Sequence, residues 1–291
     1  MLTGKEIQFY REKGYLGVDN VLSNEEVEEL RRVTDEFIDR SRAVAASDEV
    51  FDLEPDHSPE NPRLRRIKNP SGQDPVFDRV HRHDRILDIV AQLIGPAVRS
   101  MGTKLNMKAE DSGSPVEWHQ DWAFYPHTND DLLAVGVAID DMTRENGCLM
   151  VIPRSHKGKV YDHHQDGRFV GAVTEEDFDD GDAEPVEVSA GGISLHHVRA
   201  LHGSLPNVSN KPRRLLLIMF AAADAWPLIN SVRDWDAYNS GLLRGEPVWE
   251  PRLEKLPVRV PLPPPELTGS IFETQTLLKN SNLQRALSAS R

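Results

Sequence analysis

His119 and Asp121 stand two residues apart in the stretch Ser114-Pro-Val-Glu-Trp-His-Gln-Asp-Trp-Ala-Phe-Tyr125. The flanking Val116, Trp118, Trp122, Phe124 and Tyr125 favour extended backbone. In a strand, side chains at i and i+2 share a face, so this spacing aims an imidazole and a carboxylate at one point. A second imidazole from a distant strand would complete a triad of two histidines and one carboxylate. Such a triad grips one side of a non-haem Fe(II) and leaves the other positions open. The segment Gly191-Gly-Ile-Ser-Leu-His-His-Val-Arg-Ala-Leu-His-Gly203 offers His196, His197 and His202 for that place. His202 is favoured, because it heads His202-Gly-Ser204 and is followed by Lys211-Pro-Arg213-Arg214 ahead of an apolar strand. An arginine there suits a dicarboxylate co-substrate. Its planar fork can bind the distal carboxylate of 2-oxoglutarate while the keto acid chelates the metal.

A rival His-Gln-Asp occurs at His164 to Asp166, inside the polar run Tyr161-Asp-His-His-Gln-Asp-Gly-Arg168. Gly167 near its end marks a loop. Eighty-three residues separate His119 from His202, room for several crossing strands, against 38 for His164. An acidic insertion, Thr174 to Glu184, consumes much of the shorter interval and is expected to be a mobile surface loop.

The elements that must position these residues fall into two kinds. Thr3-Gly-Lys-Glu6 and Ser23-Asn-Glu-Glu26 match the capping box that opens a helix. The first helix stops near Gly14, and the second runs to about Arg42 with Val27, Leu30, Phe37 and Ile38 on one side. A polar, Pro-bearing loop is expected from Ser47 to Pro62, and a third helical region from Asp74 to Ile94 ahead of Gly95-Pro96. From Ala97 the pattern changes to short strand-like runs: Val98 to Met107, Val116 to His119, Leu132 to Ile139, Cys148 to Ile152, Val186 to Val188, Ile193 to His197 and Arg213 to Ala221. Their spacing predicts an antiparallel β-sandwich or barrel. Beyond Ala223 come a helix-like piece around Trp235 to Leu243, a Pro-rich segment (Pro257 to Pro265) and a polar tail expected to lack order.

Composition narrows the partners. The 291 residues carry 34 basic and 47 acidic side chains, a net charge of −13. That field disfavours nucleic acid and anionic membranes. The run Arg63-Leu-Arg65-Arg66-Ile-Lys68 is the basic exception, expected largely as a solvated loop face. The longest purely apolar run, Leu215 to Ala223, is too short to span a bilayer. A single cysteine, Cys148, permits no intramolecular disulfide and reads as a small core residue. With no signal peptide or Ser-Lys-Leu terminus in view, the expectation is cytoplasmic, with a small-molecule substrate and no protein partner evident.

The motifs Trp118-His-Gln-Asp121, Glu145-Asn-Gly-Cys-Leu149, Ile152-Pro-Arg-Ser-His-Lys157, His202-Gly-Ser204 and Arg213 appear in an order and at intervals that resemble the phytanoyl-CoA dioxygenase family of Fe(II)/2-oxoglutarate oxygenases. The resemblance runs from about residue 4 to residue 230. It implies a mainly β fold with α, a double-stranded β-helix (a cupin-like jelly roll) with N-terminal helices packed on one sheet. No composition break marks a second domain, so one oxygenase domain is expected over 1–291, its tail outside the resemblance: a helical part to about residue 96, a β-helix core of about 97–223 and a C-terminal extension of about 224–291. The same resemblance implies iron on His119, Asp121 and His202 and 2-oxoglutarate on Arg213. It further implies Ser204 helping to hold a co-substrate carboxylate and Arg66 as a basic residue at the site mouth. Val137 stands where some members carry an aromatic residue near the site. Trp122 and Tyr125, just downstream of the ligands, are candidates for lining the substrate pocket.

The expected reaction is hydroxylation of a small organic substrate, an acyl-CoA or a natural product, using O₂ and 2-oxoglutarate and releasing succinate and CO₂. Asp121 fills the coordination place that a halide needs in iron halogenases of this kind, so chlorination is not expected. Two other classes compete: a cupin-like metal-dependent isomerase or hydrolase, and a non-catalytic relative that binds a small molecule.

Overall fold

The computed structural model describes residues 1–110, 113–229, 232–265 and 270–283. In chain order the helices are α1 (Gly4–Lys13), α2 (Asn24–Arg40), α3 (Pro75–His81), α4 (Asp84–Ile94), α5 (Trp235–Ser240) and α6 (Ile271–Gln275). The strands are β1 (Tyr15–Val18), β2 (Phe51–Leu53), β3 (Leu64–Lys68), β4 (Val98–Lys108), β5 (Val116–His119), β6 (Leu132–Ala138) and β7 (Leu149–Val151). They continue with β8 (His164–Gln165), β9 (Arg168–Phe169), β10 (Glu184–Val186), β11 (Ile193–His197), β12 (His202–Ser204), β13 (Arg213–Ala222) and β14 (Leu242–Arg244).

Both expected capping boxes form, at Thr3 with Glu6 and at Ser23 with Glu26, so the first free backbone N–H groups of α1 and α2 are satisfied locally. Gly14 ends α1 at φ 85°, a left-handed cap that suits glycine. The single helix expected over Asp74 to Ile94 is two: Asp74 caps α3, Arg82 closes it, and α4 restarts at Asp84.

Two antiparallel sheets make a jelly roll. The major sheet runs β1-β11-β6-β13-β4-β3-β2, with β14 beside β4, and the minor sheet runs β10-β7-β12-β5. Alternation along each strand of the major sheet divides its faces. Leu105, Leu133, Val135, Val137, Leu195, Leu216 and Ile218 face outward into one core with Leu30, Phe37, Phe77, Ile86 and Val90 of the helices. Val137 therefore points to the helices, away from the site. The other face looks across to the minor sheet and is far more polar. It carries Lys104, Asn106 and Lys108 of β4, Ser194 and His196 of β11, and Arg213 of β13.

Three stretches expected to be loop or tail are ordered and structural. Phe51 to Leu53, inside the expected loop, pairs with β3. The basic run is β3 itself, paired with β4, and its charges are neutralised: Arg65 by Glu54 (2.7 Å), Arg66 by Asp52 (2.6 Å) and Lys68 by Asp52 (2.8 Å). Strand propensity missed it because the acidic partners sit in polar sequence. Residues 270–283 of the tail fold back on β5: Glu117 donates its N–H to Gln275 (3.0 Å), the N–H of Leu283 donates to the Glu117 carboxylate (3.2 Å), and Leu283 is buried. Residues 284–291 of that expected tail lie outside the described residues.

The acidic insertion is anchored too. Phe178 packs on Trp118 and Tyr161, and the Trp118 indole donates to Asp180 (2.9 Å). Asn146-Gly147 makes a tight turn, with Gly147 at φ 78° and a Cβ there only 2.4 Å from the Leu205 carbonyl oxygen. Cys148 is a buried member of the core between the sheets, and burial pushes its thiol up to about 11. Among the described residues no helix is long and apolar enough to cross a membrane.

Candidate metal centre

β5 ends at His119, and Asp121 opens a short 3-10 turn, Asp121–Ala123. Gln120 between them keeps extended backbone (φ −119°, ψ 126°), so the i, i+2 relation survives past the end of the strand. His202 lies directly opposite His119 in the β12–β5 pairing, and their ring centroids are 4.0 Å apart. Nε2 of His119 is 3.7 Å and Nε2 of His202 4.0 Å from Oδ1 of Asp121. One ligand atom from each of the three lies within 4.8 Å of the others, and among the described residues no other His, Cys, Asp or Glu group does this.

The imidazoles are set for ligation. Nδ1 of His119 donates to the Glu117 carbonyl oxygen (2.8 Å) and Nδ1 of His202 to that of Ala200 (2.9 Å), so each bare Nε2 faces the centre. Burial holds His119 down to about 4 and His202 well below the usual histidine value, which keeps both neutral and able to donate a lone pair. Burial alone would raise the Asp121 carboxyl. A hydrogen bond from Nε2 of His196 (3.3 Å) leads the effects that overcome that and hold it well below the usual range. Two neutral nitrogens and one carboxylate oxygen on one side of a buried point are a donor set that fits Fe(II).

The backbone around the triad is pinned as well. Nε2 of His163 accepts from the Gln120 N–H (2.9 Å), and the Gln120 amide donates to the Arg199 carbonyl oxygen (2.8 Å). The rival motif serves another purpose. His164 is bonded to Asp162 (3.1 Å), while Asp166 sits in a left-handed turn at φ 51° and pairs with Lys279 (2.6 Å).

Two cavities meet at Asp121. The inner one runs between the sheets past His119, His196 and His202 to Ser204 and Arg213. Arg213 is buried, its Nε and Nη1 have no partner, and burial pushes its pKa down to about 10. A buried guanidinium left so is costly unless a ligand supplies acceptors, and a carboxylate supplies them in matching geometry. Arg214, one residue on, points to the opposite face and is bound by Asp140 and Asp35 (2.7 Å each). Ser204 lines the inner cavity, and its carbonyl oxygen accepts from Lys108 (3.3 Å).

The outer cavity, about 780 Å³, is lined by Arg66, Lys104, Asp121, Phe124, Tyr125 and Phe169 on one side. The C-terminal stretch supplies the other, with Leu228, Val260, Pro261, Leu262, Ile271 and Thr274 among its residues. Tyr125 therefore stands where a pocket residue should; burial and the nearby Asp121 carboxylate push its pKa well up. Trp122 does not. It is buried against Leu132, Val198 and Ala221, and its indole donates to the Pro257 carbonyl oxygen (2.8 Å), so it holds the C-terminal stretch rather than lining either cavity. Arg66 lines the outer cavity, bonded to Asp52, and not the inner one with Arg213.

Sequence reasoning missed three contributors: His196 as the partner of Asp121, Lys104, and the C-terminal wall. The alternation Lys104-Leu-Asn106-Met-Lys108 carried a signal, since polar residues at every second position of an otherwise apolar strand mark an inward face.

The family model for phytanoyl-CoA dioxygenase matches residues 10–215. The chain belongs to the phytanoyl-CoA dioxygenase family. It is 38% identical over 275 residues to the probable alpha-ketoglutarate-dependent hypophosphite dioxygenase of Stutzerimonas stutzeri, covering 92% of this chain and 96% of that protein. To the human peroxisomal phytanoyl-CoA dioxygenase it is 24% identical over 237 residues, 77% of this chain and 70% of the other. The solved structure of EctD from S. alaskensis with bound iron superposes with a TM-score of 0.68 at 23% identity, over 87% of this chain and 89% of that one, which shows the shared fold. Together with the buried triad, family membership makes this chain a non-haem iron, 2-oxoglutarate-dependent dioxygenase.

Proposed function

We propose that His119, Asp121 and His202 hold Fe(II), that Arg213 with Ser204 seats the distal carboxylate of 2-oxoglutarate, and that the enzyme hydroxylates a small organic substrate in the outer cavity. One observation carries this reading: the unpartnered, buried Arg213 shares a cavity with the triad. With its co-substrates bound, the iron supplies the oxidising chemistry: substrate, O₂ and 2-oxoglutarate become hydroxylated substrate, succinate and CO₂. The chain supplies position. The carbonyl oxygens of Glu117 and Ala200 fix the two rings, His196 fixes Asp121, and Arg213 sets the depth of the keto acid. Leu215, Leu217, Met219 and Phe272 give the inner cavity apolar walls that keep water from the centre. Arg66, with its charge met by Asp52, takes a place at the mouth.

The same domain includes the C-terminal stretch, which completes the substrate cavity. Its lining of Phe124, Phe169, Leu228, Pro261 and Leu262 favours an organic body. An acyl-CoA is less favoured, because the basic residues of β3 that would meet its phosphates are engaged by Asp52 and Glu54. The relative in Stutzerimonas stutzeri makes hypophosphite a necessary member of any substrate panel. The buried Cys148 thiol and the absence of any disulfide partner favour a cytoplasmic setting. The deciding experiment follows Fe(II)-dependent conversion of 2-oxoglutarate to succinate with and without panel compounds. No binding of 2-oxoglutarate and no succinate with any compound would overturn the reading in favour of an isomerase, hydrolase or binding protein.

A further inference from the structure

Lys104 stands at the junction of the two cavities and lines both. It lies on the polar face of β4, where the Asp121 carboxylate and the Arg66 guanidinium, which line the same cavity, act on its charge. Its ammonium has no hydrogen bond and no ion pair among the described residues. The three charged groups lining the outer cavity are Arg66, Lys104 and Asp121. Arg66 is neutralised by Asp52 at 2.6 Å, and Asp121 belongs to the metal triad and to His196. What remains is Lys104, a cation with no hydrogen-bonded counter-ion in a cavity otherwise walled by Phe124, Phe169, Pro261 and Leu262. A charge so placed is stabilised when a counter-ion arrives with its body in the apolar part.

We infer that the substrate is an organic anion, a carboxylate or phosphonate whose head group pairs with Lys104 beside the metal and whose apolar body lies along the Phe124 and Phe169 wall. This rests on the dioxygenase reading above and names the substrate class of that site. It gives Lys104 a role in specificity, separate from that of Arg213 at the far end of the inner cavity.

The test uses the enzyme loaded with Fe(II) and 2-oxoglutarate under anoxia, where no turnover occurs. Hexanoate, hexylphosphonate and the neutral hexanamide are titrated by calorimetry, and 2-oxoglutarate binding is followed by its visible charge-transfer absorption with Fe(II). The expected result is that one or both acids bind at least about tenfold tighter than the amide. Lys104→Met, an apolar residue of similar length, should erase that preference and leave the 2-oxoglutarate affinity within about twofold. Lys104→Arg should restore it. The carboxylate and phosphonate arms tell which head group is preferred, and either supports the inference.

Equal binding of acid and amide, or no binding of either acid, overturns it. So does a Lys104→Met variant that keeps its acid preference, or one that instead loses 2-oxoglutarate about tenfold, for then Lys104 serves the co-substrate. If the wild-type enzyme develops no charge-transfer absorption at all, it is the dioxygenase reading that fails.

Discussion

The two faces of the major sheet solve opposite problems with adjacent residues. On the outward face Arg214 is held by Asp140 and Asp35, and its pKa is raised despite burial, because hydrogen bonds and charge outweigh desolvation. On the inward face Arg213 has no such partners, and desolvation drags its pKa down. The outward face uses charge to close the fold. The inward face leaves charge unsatisfied, and that deficit is what a ligand can repay. Lys104 and Arg213 lie on the inward face, and the helices pack on the outward one.

Acid should have the largest effect, through buried imidazoles at the site across from the inward face. His119 and His163 are held down to about 4 by burial, whereas histidines in the unfolded chain titrate near 6.5. Below 6.5 the unfolded chain takes up protons that the metal-free native state refuses. Stability is therefore full above that pH, falls as pH drops, and levels off near 4, by on the order of 3 kcal/mol for each histidine. Denaturant unfolding of the metal-free protein between pH 4 and 7 measures this. A flat profile would mean that these rings are not buried neutral.

Next in size is Asp121→Ala, which removes the proposed charged ligand and should weaken Fe(II) by more than about a hundredfold in a metal titration, a larger loss than removing a group that only orients a ligand gives. His164→Ala and Asp166→Ala, in the hairpin of β8 and β9, should leave metal affinity as it is. The reverse pattern would move the site to the second His-Gln-Asp. No chlorinated product should appear from wild-type enzyme at high chloride.

The paired arginines come third. Arg214→Ala should cost about 3 kcal/mol of folding stability by stranding Asp140, with 2-oxoglutarate affinity unchanged. Arg213→Ala should weaken 2-oxoglutarate by roughly 1.5–3 kcal/mol and leave iron binding and thermal stability nearly intact. Calorimetry and thermal melts on both variants check the pair, and exchanged outcomes would invert the two faces. The smallest effect is expected of Trp122→Phe. Losing the hydrogen bond to Pro257 should cost about 1 kcal/mol and speed proteolysis near residue 257, with substrate affinity held. A large fall in substrate affinity without destabilisation would return Trp122 to the pocket.

Much of this contrast was legible in the chain. Capping boxes located α1 and α2 because their signals are local; β6 and β13 were legible because their apolar runs are dense, and β5 and β11 because apolar and polar residues alternate. The triad was legible because the i, i+2 spacing needs only an extended Gln120. Strand β3 was not, since Arg65, Arg66 and Lys68 look solvated until Asp52 and Glu54 are brought beside them by pairing. Nor was the burial of the tail, because the partner of Gln275 is Glu117, 158 residues earlier. Trp122 and Tyr125 looked alike in sequence. The 3-10 turn after Gln120 sends one toward Pro257 and the other toward the cavity.

The candidate metal triad falls within the stretch that matches the family model, 10–215, while much of the outer cavity's wall comes from Leu228, Val260, Pro261, Leu262, Ile271 and Thr274. Inheritance can therefore act on the two separately. Substitutions at Val260, Pro261 or Leu262 would change the lining of the outer cavity without altering His119, Asp121 or His202, so a lineage could exchange its diet while keeping its oxidant. For the same reason, grafting the last quarter of one relative onto the first three-quarters of another is the natural cut for recombining specificities in this fold.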